Sequence, residues 1–87
     1  MSEPPEKQVT ITVKLFSFFC SFAGKEENRY FFEMNIPEGV TGAKVASLLK
    51  IPERLPKVVL INGTVKEEGY LLQEGDEMSI LPFIEGG

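Results

Sequence analysis

Between Gln8 and Phe16 the chain alternates without a break, with Val9, Ile11, Val13 and Leu15 on one parity and Thr10, Thr12 and Lys14 on the other. A period of two built largely from β-branched residues describes a strand with one buried face and one wet face. The remaining segments must therefore cover the apolar parity. Phe16 is an anomaly, because it falls on the parity that should face water. At 87 residues the chain is one small domain, near the size where a single core just suffices.

Downstream, Ser17 to Gly24 is short and aromatic, with Phe18, Phe19 and Phe22 at helical spacing and a glycine to close it. Lys25 to Asn28 is a charged turn. Arg29 to Ile36 is a second strand, with Tyr30, Phe32, Met34 and Ile36 on one side. The short connection implies an antiparallel pair with the first strand. Pro37-Glu38-Gly39 breaks the strand, and Thr41 is positioned to cap a helix from Gly42 to about Lys50. Val40 and Val45 are spaced as a hydrophobic staple. Val45, Leu48 and Leu49 form the apolar stripe, Lys50 sits at the negative end of the helix dipole, and Pro52 stops the helix.

After Pro56, the run Lys57 to Ile61 is apolar on both parities, as in a strand covered on both sides. Asn62-Gly63 is the strongest short hairpin signal, sending Thr64-Val65 back as a short arm before the loop Lys66 to Gly69. Tyr70-Leu71-Leu72 returns apolar residues to the body, and Glu74-Gly75-Asp76 turns into a last strand, Glu77 to Pro82. The order predicts a two-layer α+β domain, a sheet with one main helix packed across it. Boundaries fall at 1–8 for a flexible lead-in, 9–82 for the domain and 83–87 for a tail; the chain has no internal repeats.

Composition removes several kinds of chemistry. Nine basic residues against thirteen acidic give a net charge of −4, which disfavours a nucleic-acid backbone and favours a partner with a basic surface. Without His there is no imidazole base or imidazole metal ligand, and one Cys allows no internal disulfide, zinc knuckle or Cys-x-x-Cys pair. No apolar run has the length of a membrane span, and the first residues lack a basic segment followed by an apolar one. The expectation is a soluble, cytoplasmic protein that binds no metal.

The chain closes with Gly86-Gly87. Two glycines pack nothing and populate both halves of backbone space, so they contribute no stability. What they offer is access, because a tail without side chains can thread a narrow channel and present its carboxylate to another protein. On this reading the carboxylate of Gly87 is the reactive group; the alternative is a frayed terminus that happens to end in Gly-Gly.

Several segments, taken together, resemble the MoaD/ThiS family of ubiquitin-like sulfur carriers, most closely its molybdopterin synthase small-subunit branch. They are Val13-Lys14-Leu15-Phe16 with Phe22-Ala23-Gly24, Val59-Leu60-Ile61-Asn62-Gly63, Leu72 with Glu74-Gly75-Asp76-Glu77, then Pro82 and Gly86-Gly87. The resemblance implies a β-grasp, ubiquitin-like fold whose first and last strands lie parallel at the centre of a mixed sheet. One departure stands out: that branch usually carries two prolines before the tail, whereas here Pro82 is followed by Phe83.

The resemblance also implies a chemistry. An ATP-dependent activating enzyme, using ATP and Mg, would join Gly87 to AMP, and sulfur would then displace AMP to leave a thiocarboxylate, with Gly86 as its sterically silent neighbour. No cofactor would be bound by the domain itself. Partners would be the activating enzyme and a larger subunit, either that of molybdopterin synthase or a thiazole synthase. The protein would serve as a sulfur donor or co-substrate rather than a catalyst.

Phe16, Phe31, Leu81 and Phe83 lie on parities outside the helix-facing core, and with Ile84 they form the expected docking patch. The alternative for Phe31 is packing beneath the Phe18–Phe22 segment. Cys20, flanked by aromatics, reads as core. Glu67, Glu68, Glu74, Asp76 and Glu77 read as a solvated acidic rim rather than a metal cluster, with Asp76 serving the turn before the last strand. Lys44, Lys50 and Arg54 read as surface charges. Sulfur carriage to a pterin precursor competes with thiamine thiazole synthesis or another sulfur-transfer pathway, with covalent protein modification through Gly87, and with a non-covalent interaction module.

Overall fold

Ile11, Val13 and Leu15 are completely buried and Val9 nearly so, while Thr10, Thr12, Lys14 and Phe16 are half-buried on the opposite side of the same strand, β1 (Gln8–Phe16). Full burial of each such side chain contributes about 1.5–3 kcal/mol, so this strand anchors the core. The structure is a computed structural model and describes residues 7–83. Met1 to Glu6 of the expected lead-in, and Ile84, Gly86 and Gly87 of the expected site, lie outside the described residues.

The remaining elements are a 3₁₀ segment (Ser17–Ala23), β2 (Arg29–Pro37), α1 (Gly42–Leu48), β3 (Lys57–Ile61) and β4 (Glu77–Pro82). They form a four-stranded mixed sheet in the order β2-β1-β4-β3. β1 pairs antiparallel with β2 and parallel with β4, and β3 pairs antiparallel with β4. The first and last strands are therefore the central pair, as the β-grasp expectation required.

The aromatic segment after β1 is tighter than an α-helix, yet it ends at Gly24 as its sequence suggests. Gly24 takes φ 73°, its N–H bonds to the Ser21 carbonyl at 2.9 Å, and the Lys25 N–H bonds to that of Cys20 at 3.1 Å. Phe19 and Cys20 enter the core, Phe22 packs partly against it, and Phe18 is turned outward. Cys20 is thus core, with its Sγ donating to the Leu15 carbonyl at 3.3 Å. Burial, with the charge of Glu27 behind it, pushes its thiol above the ordinary value despite an opposing backbone hydrogen bond.

Thr41 caps α1 as expected, its Oγ1 accepting the Lys44 N–H at 3.2 Å. The helix ends earlier than the spacing predicts. Leu49 is its C-cap, and Lys50 is not helical but sits at φ 66° just beyond it. The Lys50 N–H bonds to Ser47 and the Ile51 N–H to Ala46, which closes a Schellman motif and buries Ile51. The apolar stripe shifts with that ending. Val45, Ala46 and Ile51 are buried and Leu49 partly so, whereas Leu48 is 45% exposed.

β3 also departs from expectation. It is an edge strand with Lys57 to Leu60 half-buried, not one covered on both sides. Its second apolar parity faces the open side of the sheet. The Asn62-Gly63 turn forms as expected, with φ 54° and 82°, and returns Thr64 to bridge Ile61. Beyond it Tyr70 is half-buried and Leu72 fully buried, but Leu71 points outward.

Candidate functional site

The parallel register Thr12↔Glu77 to Leu15↔Ile80 brings the ends of β1 and β4 to the same end of the sheet. The chain leaves the sheet from its centre, immediately after Pro82, which still pairs with Lys57 of β3. The root of the tail is thus held by β3, the pairing with β1 ending at Ile80, and Phe83, the last described residue, is 53% exposed.

Which residues share the open face follows from the ladder. Lys14 faces Phe31 across β1 and β2 and Ser79 across β1 and β4, and Ser79 faces Leu60. Leu81 faces Val58 in the next row, beside Phe16 and Arg29. The rings of Phe16 and Phe31 meet edge-on with centroids 5.7 Å apart. Lys14 Nζ lies 5.3 Å from the Phe31 centroid and 2.9 Å from Glu77 Oε1. Phe31 therefore pairs with Phe16 on the open face, 47% exposed, rather than beneath the aromatic segment.

This face brings together Phe16, Phe31 and Leu81, with Phe83 following at the tail root. Val58 and Leu60 extend it, although the sequence alone predicts a strand covered on both sides there. The signal for them was present: a strand apolar on both parities places one parity on this face if it lies beside β4. The result is an apolar surface at the tail root with a charged border at Lys14, Glu77 and Arg29.

At the far end of β4 a second group of residues fixes its start. Asp76, expected on a solvated rim, is only 6% exposed. Its Oδ1 accepts from Asn62 Nδ2 at 2.9 Å, and its Oδ2 accepts from the Tyr70 hydroxyl and the Gln73 N–H, both at 2.9 Å. Burial pushes the carboxyl up, but these hydrogen bonds and the nearby charge of Lys66 outweigh it and hold the group below its ordinary value. Tyr70 is pushed up, chiefly because its hydroxyl donates to this carboxylate. Asn62 is used twice, since its Oδ1 also accepts the Glu77 N–H at 2.9 Å.

The other acidic residues have separate engagements or remain exposed. Glu74 Oε1 accepts the Thr10 N–H at 2.9 Å, Glu77 pairs with Lys14, and Glu67 and Glu68 are exposed. Among the described residues no group of three or more Cys, Asp or Glu side chains is arranged to hold a metal ion, and no helix is long and apolar enough to cross a membrane. Lys44, Lys50 and Arg54 are exposed.

This architecture has solved counterparts. A Pyrococcus furiosus protein described as molybdopterin converting factor, subunit 1, superposes with a TM-score of 0.64 at 22% identity, over 87% of this chain and 99% of that one. The solution structure of the Haloferax volcanii HVO 2177 protein superposes with a TM-score of 0.73 at 19% identity, over 100% of this chain and 94% of that one. At these identities the likeness establishes the fold. No curated protein matches the chain significantly. The ThiS family profile matches residues 13–87, from the middle of β1 to the final glycine. The chain therefore belongs to the ThiS family and carries the β-grasp fold of its sulfur carriers.

Proposed function

We propose that Gly87 is the loading point of a sulfur carrier. An activating enzyme using ATP and Mg would adenylate its carboxylate, and sulfur would displace AMP to give a thiocarboxylate. A carboxylate at neutral pH is a poor electrophile, because attack pushes charge onto an already anionic group; adenylation supplies a leaving group. The thiocarboxylate that follows is an anion with its charge on polarisable sulfur, and so a good nucleophile. The domain contributes no general acid or base to the transfer. Its part is to position the tail in the partner's pocket, where proximity and orientation supply the rate.

The observation that carries this reading is the exit of the tail from the sheet centre beside an exposed aromatic face, in a chain whose family match runs to the terminal glycine. In this reading Phe16, Phe31, Leu81, Phe83 and Ile84 contact the activating enzyme and then a larger synthase subunit. The sulfur acceptor is a pterin precursor of molybdenum or tungsten cofactor, and loading takes place in the cytoplasm. One feature departs from the molybdopterin branch, Phe83 standing where a second proline would be expected, and it leaves the thiazole precursor of thiamine as the alternative acceptor.

The test is reconstitution with a candidate activating enzyme and ATP. Pyrophosphate release that requires Gly87 supports the reading, and release that persists when Gly86 and Gly87 are deleted removes it. Copurification of a pterin-binding large subunit or of a thiazole synthase then separates the two acceptors. A lysine-linked adduct in cell extract would identify protein modification instead.

A further inference from the structure

Among the described residues β2 is an edge strand of the sheet. The Glu38 N–H donates to the Lys7 carbonyl at 2.9 Å, and the Ser17 N–H to the Asn28 carbonyl at 2.7 Å. Antiparallel pairs that exchange hydrogen bonds recur at every second residue, so Tyr30, Phe32, Met34 and Ile36 turn their backbone groups toward β1. Arg29, Phe31, Glu33 and Asn35 consequently turn theirs outward. β2 is the outermost strand on this side, and no described backbone group bonds to that row. A long unpaired row of this kind is a template for another strand.

The side chains on the outward positions select the occupant. Arg29, Phe31, Glu33 and Asn35 are all exposed, and neither Arg29 nor Glu33 has an ion pair among the described residues. Five antiparallel self-pairings overlap at least five residues of β2 with the outward groups matched; two of them set Pro37, which has no N–H, opposite Phe31 or Glu33, leaving three to compare. Full overlap sets Glu33 against Glu33 of the second copy at the symmetry axis, a direct like-charge contact. An intermediate register sets Phe31 against Glu33 and Arg29 against Asn35. The third centres on Phe31 opposite Phe31, and it places each Arg29 opposite the Glu33 of the other copy. On the helix side it sets Tyr30 opposite Phe32. This register alone matches charge with charge and aromatic with aromatic throughout, and it satisfies the isologous symmetry of a two-fold dimer.

We propose that two copies of this chain associate through β2 in that register, joining their sheets into one. The occupant is a second copy because the charge order Arg29…Glu33 is complementary to itself when reversed. The Phe16–Phe31 pairs of both copies then adjoin across the axis, so the open face runs on from one copy to the other. This inference does not depend on the sulfur-carrier reading.

Sedimentation velocity over a concentration series of the full chain tests it, with circular dichroism as the check on folding. The wild type is expected to show a monomer–dimer equilibrium. Glu33→Arg and Arg29→Glu, each alone, set like charges opposite at both ends of the pairing and weaken the dimer by about tenfold or more. An equimolar mixture of R29E and E33R restores association, because every cross-pair is again of opposite sign. A wild type that stays monomeric throughout overturns the proposal. So does a dimer unaffected by E33R, or one abolished by Phe16→Asp but not by E33R, which would place the contact on the open face.

Discussion

Asn62 and Asp76, fourteen positions apart in the chain, are joined by a hydrogen bond of 2.9 Å that ties the hairpin after β3 to the residue preceding β4. The same Asn62 side chain accepts the Glu77 N–H, while its own backbone N–H bonds to the Glu77 carbonyl at 2.7 Å. The start of β4 is thereby pinned at one end, and the end of the same strand carries the tail. An Asn-Gly turn is therefore also a fastening for the strand that leads into the tail.

Replacing Asn62 with Ala removes both side-chain bonds and leaves the Asp76 carboxylate short of a donor. A lost hydrogen bond to a charged group is worth about 1.5–3 kcal/mol. We expect a loss of stability in that range, measured by urea denaturation. N62D keeps the shape of the side chain and should still be destabilising, because it sets a second carboxylate against Asp76.

The pH dependence follows from the same group. The folded-state value of Asp76 lies below its ordinary value of 3.8, so the stability it contributes is present above that value and lost as pH falls through the folded-state value. Tyr70 lies above its ordinary value of 10.0, so its contribution is present below that value and lost as pH rises through the folded-state value. Melting temperature should fall at both extremes. Asp76→Asn should flatten the acid limb attributable to this group, and Tyr70→Phe should remove the contribution of the phenol at the alkaline end.

Lys50 occupies a left-handed position that an L side chain adopts at a cost of about 1–2 kcal/mol, while glycine adopts it freely. Glycine also loses more freedom on folding, which offsets part of the gain. Lys50→Gly should raise stability by about 0.5–1 kcal/mol, seen as a higher urea midpoint with unchanged slope. Lys50→Ala should give no such gain.

The open face makes a different prediction, one that leaves the fold intact. Phe83 is exposed, and Phe16 is half-buried on the side of the sheet away from α1. Phe83→Asp should weaken binding to the activating enzyme by about tenfold or more while leaving the melting temperature within a degree or two. Unchanged affinity, read by calorimetry, would remove Phe83 from the docking surface.

Much of this was legible in the residues. The clean alternation of Val9 to Leu15 specified β1 and its buried face, and Gly24, Thr41 and Asn62-Gly63 marked the ends and turns where they occur. The failures share a cause, since they depend on which element lies beside which. Lys57 to Ile61 reads as a covered strand because local sequence cannot say that it is an edge with one face open. Leu48 reads as core because periodicity does not reveal that the helix ends at Leu48, with Lys50 left-handed beyond the cap, and lets Ile51 take the buried position. Asp76 does serve the turn before β4, through the Gln73 N–H, but it reads as exposed because its other two donors, Tyr70 and Asn62, lie beyond that turn. The tail chemistry came from the resemblance and not from periodicity, since glycines carry no pattern.

The most direct measurement is the mass of the C-terminal peptide after the full chain is coexpressed with its activating enzyme and a sulfur donor. The account predicts replacement of one oxygen by sulfur, located by fragmentation to Gly87, and no replacement in a chain ending at Glu85. Sulfur found on Cys20 instead, or an unmodified Gly87 in a preparation that still supports transfer to the acceptor, would contradict it.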